Sequence, residues 1–97
     1  IVRLADIEFN SNTQTLTVDK SEYPLALKES SLLEMFIRYP NRVFSRNHIL
    51  DKVWGYDKDV TENNIEIYIH YLRKKLAGSS RVKLKTVRGV GYTLKEK

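Results

Sequence analysis

A chain of 97 residues, 41% hydrophobic and 30% charged, has room for one core and not two, and is too apolar for wholesale disorder. The lack of cysteine excludes a disulfide scaffold, a thiol nucleophile and any thiolate metal site, and no apolar run approaches the roughly 18 residues a spanning helix needs. Charge is segregated: residues 1–66 hold 8 Lys/Arg against 11 Asp/Glu, net −3, and residues 67–97 hold 9 against 1, net +8, together the formal +5.

From Ile1 to Leu27 apolar residues come in short alternating pieces, Val2-Arg3-Leu4, Ile7-Glu8-Phe9 and Leu16-Thr17-Val18. Turn-rich Asn10-Ser11-Asn12-Thr13 and Asp19-Lys20-Ser21-Glu22 separate them, which predicts a small antiparallel meander. Pro24, lacking an amide donor, belongs on an edge or at a strand end. Leu32, Leu33, Phe36 and Ile37 then form the stripe of a first helix that Tyr39-Pro40-Asn41 should stop. Ser45 reads as an N-cap for a short second helix with the stripe Ile49, Leu50, Val53, Trp54, closed at Gly55. After the polar loop Tyr56-Asp57-Lys58-Asp59-Val60, Thr61 reads as the cap of a third helix over about 62–77. Val82 to Glu96 alternates around Gly89-Val90-Gly91, a β-hairpin.

At 100° per residue, with Ile65 at zero, Ile69, Leu72, Leu76 and Tyr68 fall within about 60° of it and form the core stripe. Asn63, Ile67, His70, Tyr71 and Lys74 occupy the opposite face, with Arg73 and Lys75 flanking it near about 80° and 280°. Ile67 is an isolated surface hydrophobe or a groove-reading residue. In the second case Ile touches a thymine methyl, Asn pairs with adenine, and Lys reaches guanine acceptors or phosphates. The basic segment suggests a polyanion partner, against an ordinary solvated face. The hairpin from Lys83 to Tyr92 contains no acid, and Arg88 beside its tip suits a narrow minor groove. It is no dinucleotide fingerprint, because Leu94 stands where a third glycine is needed and no helix follows.

Phe44-Ser45-Arg46, Val53-Trp54-Gly55-Tyr56, Leu72-Arg73-Lys74-Lys75-Leu76 and Thr86-Val87-Arg88-Gly89-Val90-Gly91-Tyr92 resemble the winged-helix effector domain of OmpR/PhoB-type response regulators. The resemblance runs nearly end to end. It implies an α+β winged helix-turn-helix fold with an N-terminal four-stranded antiparallel sheet, three helices and a C-terminal hairpin wing. It also implies sequence-specific binding of double-stranded DNA, with helix 62–77 in the major groove and wing 82–96 in the minor groove. Carried over position by position, it places Asn63, Ile67, Tyr71, Lys74 and Arg88 on bases. Asn64, His70, Arg73, Lys75, Thr86, Tyr92 and Trp54 go to the DNA backbone, although the counterpart of Trp54 also packs at the helix end. Gly55, Tyr56, Asp57, Lys58, Asp59 and Val60 correspond to a transactivation loop that meets RNA polymerase. An N-terminal receiver domain outside this chain, a cognate sensor histidine kinase and head-to-tail pairing on direct repeats are further implications, the isolated domain being monomeric.

The chain departs from the family pattern at three places. His70 and Tyr71 stand where arginines are frequent, so base contacts of those arginines do not transfer. Ala26 and Ser30 occupy the usual cap and aromatic positions of the first helix, and His48 replaces the residue that often completes the box behind Ser45. Other functions find little support. Neither histidine has metal-ligand spacing, no hydrolase signature occurs, and Asp57-x-Asp59 lacks the glycine a calcium loop needs, having Glu62 there. A membrane-surface helix would have only Ile67 and Tyr71 to insert. No enzyme activity, cofactor, metal or membrane partner is therefore expected, and the remaining rival is a winged helix used for protein contact. No signal-peptide pattern opens the chain, so a cytoplasmic setting is expected, and the missing initiator Met suggests a segment of a longer polypeptide or processing.

Overall fold

The alternation of the first 24 residues builds four short strands that pair in sequence order: β1 (Val2–Leu4), β2 (Ile7–Asn10), β3 (Thr15–Val18) and β4 (Ser21–Pro24). In the computed structural model, which describes residues 1–55 and 60–97 except the side chain of Glu62, Ile7 lies opposite Val18 and Phe9 opposite Leu16. All four are buried, so one face of the sheet covers the core. Each tight reversal uses one non-glycine residue in the left-handed region, Ala5, Gln14 and Asp19, with φ of 52°, 53° and 55°. Pro24 sits on the edge strand opposite Thr15, where its missing donor leaves no inner partner unsatisfied.

Helix α1 (Leu27–Arg38) buries Leu32, Leu33, Phe36 and Ile37 against that sheet and against the later elements. Its start has no capping hydroxyl. Instead Glu29 Oε1 accepts the Ala26 N–H at 3.2 Å, the returning half of a capping box, while Glu29 Oε2 receives the Lys75 ammonium at 2.6 Å. At its end the chain turns at Tyr39, before Pro40, as the sequence requires.

Helix α2 (Arg46–Ile49) is shorter than its apolar stripe suggests. Ser45 Oγ caps it by accepting the His48 N–H at 3.2 Å, so the forward half of that box forms without an acid behind it. From Leu50 to Trp54 the turns widen to i→i+5 bonding, which ends where Gly55, at φ 60°, donates to both Leu50 O and Asp51 O at 3.0 Å. The Val53 carbonyl of this widened turn is taken by Lys28 Nζ at 2.9 Å, which ties the segment to α1.

A strand absent from the sequence reading precedes α2. β5 (Phe44–Ser45) pairs with β7 (Gly91–Glu96), which pairs in turn with β6 (Val82–Val87) in a three-stranded sheet ordered β5-β7-β6. Ser45 lies opposite Gly91, and a Cβ on Gly91 would fall on the Phe44 carbonyl. Gly91 is thus required by close backbone approach, whereas Gly89, at φ 77°, serves the hairpin turn closed by Val90 N–H to Val87 O at 3.0 Å. Helix α3 (Glu62–Leu76) packs against β6, α1 and α2, and one apolar cluster draws on both sheets and all three helices. Among the described residues no helix is long and apolar enough to cross a membrane.

Candidate nucleic-acid interface

The inner stripe of α3 is Ile65, Ile69, Leu72 and Leu76, all buried, with Tyr68 half-buried beside them. Burying that stripe fixes the rotation of the helix and turns Asn63, Ile67, His70, Tyr71 and Lys74 to solvent together. The five residues therefore share one outer face, and a shallow depression of about 490 Å³ is lined by Asn63, Glu66, Ile67, His70 and Tyr71. At the helix start Asn64 Oδ1 accepts the Thr61 N–H at 3.0 Å. Its side-chain carbonyl serves the helix terminus, which leaves only the amide for a phosphate.

Three rings run from the widened turn after α2 to this face. Trp54 meets Tyr68 edge to face at 5.5 Å between centroids, and Tyr68 meets Tyr71 at 6.0 Å. Trp54 is half-buried and packed on the core, so of its two expected roles the packing one is observed directly.

The wing is bound to α3 by a charged fork. Arg73 Nε donates to Leu84 O at 3.0 Å and Nη2 to the Thr86 hydroxyl at 2.5 Å, and the guanidinium lies 5.9 Å from the centre of the Tyr92 ring. Arg46 approaches the same ring at 5.6 Å. Tyr92 is only 3% exposed, and its ring lies at the joint between wing, α2 and α3. Two cations of α3 are engaged within the domain. Arg73 is still exposed, but its donors face the wing rather than solvent. Lys75 has its ammonium on the buried Glu29 carboxylate and braces α3 against α1.

Besides Arg73, the exposed cations of α3 and the wing are Lys74, Lys83 and Lys85 on β6, and Arg88 at the tip, and among the described residues none of them has a carboxylate partner. Thr86 is exposed on the wing with its hydroxyl accepting from Arg73. Arg46 was missed by the sequence reading. Only its place behind Ser45 hints at it, because its partner ring lies on a strand 46 residues further on (92 − 46). Of the expected polymerase-facing loop, Gly55 closes α2 and Val60 is half-buried, while Tyr56, Asp57, Lys58 and Asp59 lie outside the described residues.

The family model described as "Transcriptional regulatory protein, C terminal" matches residues 20–94. The response regulator MprA of Mycobacterium sp. strain KMS is 42% identical over 92 residues, which are 94% of this chain and 40% of that protein. The chain thus spans about 40% of the length of the curated relatives it matches. Among solved structures, the DNA-binding domain of response regulator AdeR in complex with an intercistronic region superposes with a TM-score of 0.83 at 27% identity, covering 100% of both chains. The DNA-binding domain of CpxR from E. coli gives 0.82 at 26% identity, covering 97% of this chain and 94% of its own. With the four-stranded sheet, three helices and hairpin wing already in place, the chain belongs to the family of C-terminal domains of transcriptional regulatory proteins, the DNA-binding output domains of OmpR/PhoB-type response regulators.

Proposed function

We propose that this domain reads double-stranded promoter DNA with α3 in the major groove and the tip of the wing in the adjacent minor groove. The observation that carries the reading is the exposed stripe Asn63, Ile67, Tyr71, Lys74 along one side of α3, with a wing locked beside it by Arg73. Asn63, Ile67, Tyr71 and Lys74 face base edges, and Arg88 enters the minor groove. His70, Thr86, Lys83, Lys85 and the amide of Asn64 hold phosphates and set register. Arg73, Lys75, Tyr92 and Trp54 position these groups from behind. The family is one of regulators and not of enzymes, which agrees with a surface whose outward groups are donors, apolar caps and cations.

In the whole protein we place a phospho-accepting receiver domain ahead of this one, served by a sensor histidine kinase in the cytoplasm. Two such domains sit head to tail on direct repeats, and the loop from Gly55 to Val60 faces RNA polymerase. The isolated domain is a monomer that binds a single half-site weakly and gains affinity through tandem occupancy. Titration of a duplex at several salt concentrations tests the core of this reading. The four exposed cations Lys74, Lys83, Lys85 and Arg88, each beside one phosphate, imply that log K falls against log salt with a slope of about −4. Binding that ignores salt, or no duplex binding at all, would favour a winged helix used for protein contact.

A further inference from the structure

His70 stands exposed on the outer face of α3, and among the described residues no carboxylate lies within ion-pair distance of its ring. The surface around it belongs to α3 itself: Asn63, Glu66 and Ile67 precede it, and Tyr71 follows with its ring 6.3 Å away. No group of α2 or the wing joins them among the described residues. Glu66 stands one turn before His70 and Lys74 one turn after, both exposed, and their opposite charges cancel. Arg73, at the flank, has Nε and Nη2 turned to the wing, and Lys75 is held by Glu29. The charge that this face of the helix presents therefore changes with the state of one imidazole. An imidazole is the side chain whose ordinary titration falls between pH 5 and 8. Neutral, it brings one N–H donor; protonated, it brings two donors and a positive charge, both suited to a phosphate.

We propose that His70 makes duplex binding proton-linked, as a phosphate contact of α3 that engages below neutral pH and releases above it. The proposal rests on the DNA-binding reading above and adds to it a regulating ligand, the proton. Because the complex favours the charged imidazole, a proton is taken up on binding and affinity rises as pH falls. Lysine and arginine stay charged over that range. The hold of the wing through Lys83, Lys85 and Arg88 is therefore constant, and only that of α3 changes.

The test measures the affinity of the purified chain for a duplex drawn from a random library, in about 0.15 M salt, at about pH 8 and about pH 5.5. The parent should bind about fivefold more tightly at the lower pH, the counterion-release worth of one further phosphate contact, with a salt slope steeper by about 0.9. His70→Gln should bind at both pH values as the parent does at the higher one. His70→Arg, charged throughout, should bind at both as the parent does at the lower one. Both should melt with the parent, because the side chain they replace is exposed. His48→Gln, which removes the only other histidine, should keep the full step. A parent affinity that ignores pH, a step that survives in His70→Gln, or one that vanishes in His48→Gln overturns the proposal and leaves DNA binding standing. No duplex binding at either pH overturns the DNA-binding reading, and the proton linkage with it.

Discussion

Arg73 and Thr86, thirteen residues apart in the chain, meet at 2.5 Å between the guanidinium Nη2 and the threonine hydroxyl, while Arg73 Nε holds the Leu84 carbonyl. One side chain thereby sets the angle of the wing relative to α3. The account predicts that Arg73→Lys, which keeps the charge but loses the planar fork, lowers DNA affinity about tenfold without changing the salt slope. The same salt titration checks it. Loss of about one unit of slope would return Arg73 to the phosphate-contacting set.

Adjacent lysines should separate stability from binding. Lys75, with a side chain only 24% exposed, neutralises Glu29 at 8% exposure. Lys75→Met should destabilise by about 2–4 kcal/mol, because it leaves a buried carboxylate unpaired. Lys74→Ala should leave the melting temperature unchanged and flatten the salt slope by about one. Thermal denaturation and DNA titration of both variants decide whether the two roles divide this way.

The two glycines of the wing should differ in cost. Gly89→Ala places a side chain at φ 77° in open space and should cost about 1–2 kcal/mol. Gly91→Ala sets a Cβ on the Phe44 carbonyl, so β5 must leave β7, and the loss should exceed about 3 kcal/mol. Denaturant titration of the pair measures the difference, and comparable losses would contradict the β5–β7 register.

Asp6 links the first hairpin to the start of the wing. Its Oδ1 receives the Ser79 hydroxyl at 2.5 Å and its Oδ2 the Ser80 N–H at 3.2 Å. The Ser79 hydroxyl first, then the Ser80 N–H and Arg81, hold its pKa below the ordinary 3.8, against a smaller opposing effect of burial. A depressed folded value means the stabilisation is complete above the unfolded pKa and is lost as pH falls through the folded one. Stability should therefore decline below about pH 4, and Asp6→Asn should flatten that acid limb. Melting curves from pH 6 to pH 2 distinguish the two proteins.

Periodicity made most of this architecture legible. The meander, α1, α3 and the hairpin each repeat their apolar residues often enough to reveal which face turns inward, and Ile67 and Tyr71 stand out because they break the pattern on the other side. Residues on the boundary of the α3 wheel were the least legible. Arg73 and Lys75 flank the outer face on opposite sides, and nothing local says that Leu84 and Thr86 claim one and Glu29 the other. β5 escaped because two residues show no period and its pairing depends on a glycine 46 residues later (91 − 45). The start of α1 was obscure for the same reason, since Glu29 is held in place by a lysine 46 residues away. The widened turn from Leu50 to Trp54 preserves an apolar stripe and so looks like ordinary helix.

Selection from a random duplex library with the purified chain near 0.15 M salt decides whether α3 and the wing together read base sequence. Enrichment of short direct repeats about one helical turn apart is the expected result. Tight binding without enrichment of any sequence would reduce α3 to a phosphate anchor and contradict the account.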